Sequence, residues 1–258
     1  MAHSHEHHHE HVHELTSLNK SFIIGITLNI LFVLVEFGIG FYYDSLGLLS
    51  DAGHNLGDVA SLVLAMLAFR LAKVHPNSRY TYGYKKSTVL VSLLNAVILL
   101  VAVGIIITES IEKLFHPVPV EGAAIAWTAG VGVVINAVTA WLFMKDKEKD
   151  LNVKGAYLHM AADTLVSVGV VISGIIIMYT GWTLVDPIIG LVIAVIIVIS
   201  TWSLLHDSLR LSLDGVPVGI DSEKIGRVIL EQPGVESYHH LHIWALSTTE
   251  TALTAHIV

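Results

Sequence analysis

The sequence predicts an α-helical membrane protein: six helices crossing a bilayer, both termini in the cytoplasm, and a small α/β domain after the last span. Three observations carry that expectation. Only 14% of the 258 residues are charged and 53% are hydrophobic, with a mean hydropathy of +0.68, whereas a soluble domain carries about 25% charge. Six apolar runs, at roughly 22–43, 46–69, 88–107, 123–144, 157–179 and 184–205, each approach the ~20 residues that a spanning helix needs. Thirteen of the fourteen Lys and Arg residues fall on one side of this arrangement.

Residues 1–14 hold seven of the sixteen histidines, interleaved with glutamate. With so little to bury, residues 1–19 are expected as a disordered cytoplasmic tail. Neutral imidazole suits such a tail to collecting zinc, copper or nickel. Residues 20–208 form the membrane domain. Lys20 precedes the first span. Arg70, Lys73, Arg79, Lys85 and Lys86 join the second to the third, and Lys145, Lys147, Lys149 and Lys154 join the fourth to the fifth. Arg210, Lys224 and Arg227 follow the sixth, and only Lys113 lies opposite. The positive-inside rule then puts both termini in the cytoplasm. Asp186 and Pro187 read as an N-cap and first-turn proline for the sixth helix.

Residues 209–258 have the composition of a soluble domain. Asp221 reads as an N-cap, with Ile220 against Ile225 as a hydrophobic staple. Pro233 and Gly234 stop that helix, and 235–246 and 251–258 alternate as two strands around the polar turn 247–250. Alternation puts His240, His242 and Trp244 on one strand face, and His239, Leu241 and Ile243 on the other. A helix and two strands are too few for an independent core, so this domain is expected to be cut short or completed by a partner.

Function is concentrated in two strings, His54-Asn-Leu-Gly-Asp58 and His159-Met-Ala-Ala-Asp163. Four-residue spacing places both side chains of each pair on one helix face. A carboxylate in bilayer hydrocarbon costs roughly 2.5–3.5 kcal/mol on insertion scales. One such pair reads equally well as an internal ion pair or a proton relay. Two pairs on separate spans favour a shared divalent-metal site, because two imidazoles and two carboxylates make a four-coordinate set that Zn²⁺ accepts. Asp51 and Asn55 share the face of His54 and Asp58, and Glu36 in the first span either hydrogen-bonds across helices or joins the ion path. Ligands must lose protons to bind a cation, which gives a physical basis for exchanging metal against H⁺. The absence of cysteine removes disulfides, thiolate catalysis and Cys-ligated zinc.

These residues identify a resemblance. The stretch Ser45-Leu-Gly-Leu-Leu-Ser-Asp51-Ala-Gly-His54-Asn-Leu-Gly-Asp58 resembles the second-helix motif of the cation diffusion facilitator family. His159-Met-Ala-Ala-Asp163 resembles its fifth-helix partner, and His239-His-Leu-His242-Ile-Trp244 resembles the start of its cytoplasmic domain. The resemblance implies a homodimeric metal/proton antiporter whose ferredoxin-like, metallochaperone-like cytoplasmic domain is αββαβ, present here as αββ. It implies that His54, Asp58, His159 and Asp163 are the transport ligands, with zinc as substrate and cobalt or cadmium as alternatives. It places His239 and His256 where family members bind cytoplasmic metal; His240 and His242 are the weaker candidates for such a site. Lys86 and Asp214 fall near an inter-subunit charge interlock, and tyrosines replace the histidines of a loop site, leaving His75 a surface residue. A bacterial inner membrane is the implied location. Neither an organic cofactor nor nucleic acid is expected. The competing readings are an intramembrane zinc hydrolase, a haem-binding electron carrier and a non-transporting metal sensor.

Overall fold

Long apolar helices follow one another as the hydropathy predicts. The computed structural model describes residues 8–42, 46–116, 123–182 and 184–258. The elements are α1 (His8–Tyr42), α2 (Leu46–Ala72), α3 (Ser87–Phe115), α4 (Ala123–Met144), α5 (Leu151–Thr180) and α6 (Val185–Ser212), then α7 (Ser222–Leu230), β1 (Tyr238–Ala245) and β2 (Thr251–Ile257). Among the described residues, five helices are long and apolar enough to cross a membrane by length and composition. The sixth, α4, is 22 residues without a charge.

Local chemistry sets most helix ends. The N–H groups of Asn152 and Val153 donate to the Asp150 carboxylate at 2.7 and 3.3 Å, capping α5. Gly181, at φ +70°, closes the other end, its N–H reaching Ile177 O at 2.8 Å. Asp221 caps α7 as the sequence predicts, accepting from Glu223 and Lys224 at 3.0 and 3.2 Å.

Two expectations about helix starts need correction. The helix of the first span runs back to His8, where a disordered tail was expected to residue 19; residues 1–7 lie outside the described residues. Extending a formed helix adds a bond per residue without a second nucleation cost. At 1.5 Å per residue the 35 residues of α1 exceed a ~30 Å hydrocarbon core. In α6 the N-cap is Leu184, without a side-chain bond, so Asp186 and Pro187 fall inside the first turn, where a missing proline N–H is harmless.

In the bundle α1 packs along α2, α4 along α5, and α3 along α6. One buried cluster joins Phe22, Leu62, Phe143, Val153 and Met160 from α1, α2, α4 and α5. A second joins Leu99, Ala162, Ile193 and Ile197 from α3, α5 and α6. Helix α5 belongs to both. Lipid tails are as apolar as leucine, so small residues and interhelical polar contacts hold such helices together. A Cβ at Gly169 would sit 2.4 Å from Ile193 Cδ1, and one at Gly190 would sit 2.5 Å from Ser110 Oγ. The hydroxyls of Ser92 and Ser208 meet at 2.9 Å between α3 and α6.

After α7, strands β1 and β2 form an antiparallel hairpin. Its register shifts between His239 and His242, and His240 takes φ +52°. Two residues on β1 therefore oppose one on β2. The expected strict alternation of the strand histidines fails for that reason.

The hairpin turn docks on the helical domain. Thr248 N–H donates to Thr88 Oγ1 at 3.1 Å, and its hydroxyl donates to Asp150 Oδ2. Asn152 Nδ2 donates to Thr88 O at 3.0 Å, and Lys85 pairs with Glu250. Beside this contact Lys86 Nζ donates to Leu211 O at 2.8 Å, Ala245 O at 3.1 Å and Asp214 Oδ1 at 2.5 Å. Lys86 and Asp214 thus meet within one chain.

Candidate metal centre

On α2 the residues Val59, Leu62 and Ala65 turn into the first buried cluster. On α5, Ala156 and Met160 join the same cluster, while Ala162 joins the second. The seam between these faces carries the ionisable residues. Asp58 is 1% exposed and His159 is 7% exposed, with Asp163 half-buried. His159 Nε2 lies 2.7 Å from Asp58 Oδ1 and 4.0 Å from Asp163 Oδ2. One ligating atom from each of the three can be chosen so that all lie within 4.8 Å of one another.

That donor set, one imidazole nitrogen and two carboxylate oxygens, is the kind Zn²⁺ accepts. Asp58, buried, and Asp163, half-buried, add two carboxylate oxygens of the kind a divalent cation takes. His54 lies four residues before Asp58 on α2, with Asp51 a further turn away. The side chains of both lie outside the described residues.

Glu36 is fully buried and accepts from Asn55 Nδ2 at 2.7 Å. This is a hydrogen bond between α1 and α2, one of the two geometries the sequence allowed. Ser61 and Asn95 were not selected from the sequence, yet with His159 they line a cleft beside the seam. The available signal was only a polar residue inside an apolar run.

A second cluster lies on the hairpin. The bulge brings the rings of His239, His240 and His256 together, with centroids 5.1 to 5.3 Å apart and all three residues exposed. His242 stands opposite Thr254 and is not among the residues of that cluster. In the α2–α3 loop His75 is exposed, and Tyr80 packs on Tyr84 at 4.8 Å. Among the described residues that loop contributes to no cluster of ligating side chains.

Six apolar helices with an imidazole and two carboxylates gathered between α2 and α5, followed by a small α/β unit, describe a membrane protein that handles metal cations. Residues 22–211 match the family model for the cation efflux transmembrane domain, and 217–258 match the one for the cation efflux protein cytoplasmic domain. The chain belongs to the cation efflux, or cation diffusion facilitator, family: it is an integral membrane protein of metal cation efflux, a transporter and not an enzyme. It is 38% identical over 260 residues to zinc transporter ZitB of Escherichia coli, covering 100% of this chain and 82% of that one. A cadmium, cobalt and zinc/H⁺-K⁺ antiporter of Bacillus subtilis is 36% identical over 229 residues, 88% of this chain and 74% of its own. The metal cation efflux system protein CzcD of Cupriavidus metallidurans is 37% identical over 239 residues, 93% and 76% respectively.

Proposed function

We propose that the protein exports Zn²⁺ from the cytoplasm in exchange for H⁺, with His54, Asp58, His159 and Asp163 as the ligands of the transported cation. The observation that carries this reading is the Asp58–His159 contact at 2.7 Å with Asp163 beside it. A proton shared between Asp58 Oδ1 and His159 Nε2 occupies the atoms that ligate a cation. Cation binding therefore expels the proton, and cation release readmits it. Alternating exposure of the seam to the two membrane faces turns that competition into exchange. Similarity to relatives named for zinc transport, and to one named for zinc and H⁺, supports both the substrate and the counter-ion; cobalt and cadmium are the alternative substrates.

Within this reading both termini face the cytoplasm, in keeping with the lysine and arginine asymmetry, and the membrane is a bacterial inner membrane. The working unit is a homodimer, in keeping with the similarity of residues 217–258 to a cation efflux cytoplasmic domain. His239, His240 and His256 serve as a cytoplasmic collecting site, favoured by their proximity and exposure.

Proteoliposomes carrying an internal zinc dye, given a pH gradient, test the proposal. Zinc flux is expected in the parent protein, and His54→Ala and Asp163→Ala are each expected to abolish it while the protein stays folded. Flux unchanged in both variants would overturn the site. Repeating the measurement with cobalt and cadmium sets the selectivity.

A further inference from the structure

Three aromatic rings join α1, α2 and α4 near the end of the bundle where the hairpin docks. The Phe22 ring meets Phe143 at 4.7 Å and Phe69 at 5.7 Å between centroids. Phe22 is fully buried and Phe143 is 1% exposed, so the core of the bundle fixes this knot. Each ring has a cation within two residues along the chain: Lys20 before Phe22, Arg70 after Phe69 and Lys145 after Phe143. Packing of the rings therefore brings three exposed positive charges to one rim.

The cations at this end of the bundle are of two kinds. Toward the hairpin, Lys85 pairs with Glu250, Lys86 with Asp214 and Lys154 with Asp207. Around the aromatic knot, Lys20, Arg70 and Lys145 have no carboxylate partner among the described residues. Asp146, next to Lys145 in the chain, is taken by Lys149 at 3.1 Å. Like charges gathered without counter-charges repel one another, so the rim favours an anion. Just inside the rim the surface turns apolar. Ile24 on α1 is 46% exposed and Trp141 on α4 is 67% exposed. Trp141 stands about one turn before Lys145, as an indole does when it sits at headgroup level.

We propose that this rim binds an anionic phospholipid, with Lys20, Arg70 and Lys145 around the headgroup phosphate and the acyl chains against Ile24 and Trp141. Arginine offers phosphate a bidentate fork, and the two lysines act as point charges. A free phosphate would meet the cations alone, whereas a lipid also covers the apolar surface beneath them. That difference commits the rim to lipid. The bound lipid spans the ends of α1, α2 and α4, so it stabilises the bundle, whichever ion is carried.

Thermal unfolding of the full chain in a neutral detergent tests the proposal. Phosphatidylglycerol is expected to raise the melting temperature, and phosphatidylcholine or inorganic phosphate at equal concentration is not. The triple variant Lys20→Gln, Arg70→Gln, Lys145→Gln should lose that rise. A second triple variant, Arg210→Gln, Lys224→Gln, Arg227→Gln, removes the same charge from exposed positions on α6 and α7 and should keep it. Lipid titration followed by native mass spectrometry gives the affinity. One cation near an anionic surface is worth about fivefold, so the first triple variant should bind phosphatidylglycerol at least about tenfold more weakly. Equal stabilisation by phosphatidylcholine or by inorganic phosphate overturns the inference. So does an equal loss in both triple variants, or no loss in the first. If the first triple variant does not fold, Lys145→Gln alone decides: affinity about fivefold weaker is expected, and an unchanged one overturns the inference.

Discussion

Asp58 and Glu36 are both carboxylates buried inside the bundle, and their partners separate their roles. Asp58 faces an imidazole on another helix at 2.7 Å, whereas Glu36 accepts from the Asn55 amide. Asp58→Asn keeps the shape but removes the charge of a proposed ligand, so on that reading calorimetric zinc affinity should fall more than about tenfold. Glu36→Gln keeps a hydrogen-bonding group and should leave zinc stoichiometry intact. Glu36→Leu takes the acceptor from a buried amide and should cost about 1–3 kcal/mol of stability, read by denaturant unfolding. At this scale the ionisable residues were legible, because charge inside an apolar run is costly enough to need a reason. Asn95 was not legible: a lone amide on α3 gains meaning only when α2 and α5 close around it.

Spans and most caps were legible at the scale of elements, since length, charge and Asp/Gly punctuation act locally. The start of α1 and the bulge at His240 were not. Both depend on what the neighbouring segment has already formed. Asp150 shows the same dependence. It is 3% exposed, and burial pushes its carboxyl above the usual 3.8, against the lowering effect of the Thr248 hydroxyl and the Asn152 and Val153 N–H groups. Folding thus favours the protonated form. Its contribution is full below pH 3.8 and is lost as pH rises through the higher folded value. Asp150→Asn retains an oxygen for the cap and carries no charge to desolvate. Melting curves across that window should lose this share of their pH dependence and gain stability at neutral pH.

For the whole molecule the important fact is where the small domain is tied. The hairpin turn grips Asp150 and Thr88, at the starts of α5 and α3, while Lys86 joins α3 to Leu211, Asp214 and Ala245. Helix α5 carries His159 and Asp163, so the domain is fastened to a helix of the proposed metal centre. Lys86→Met removes three acceptor contacts at a partly exposed site, and should ease opening of the domain by about 1 kcal/mol. Limited proteolysis should then cut faster near residues 213–219, with zinc stoichiometry in the bundle unchanged. This fastening was not legible in the sequence. The family resemblance placed Lys86 and Asp214 near an inter-subunit interlock rather than in this contact within one chain, and the two backbone carbonyls that complete it have no side-chain signature.

The bulge at His240 has a consequence for the protein at high concentration. Among the described residues β1 and β2 form a two-stranded sheet, and Leu253 and Ile257 are 45% and 57% exposed on β2. A flat strand pair with such residues is a template for adding strands from other molecules. A left-handed residue in β1 twists the ladder and breaks the regular spacing that a recruited strand would need. The irregularity beside the three imidazoles is of the kind that discourages edge-to-edge strand pairing.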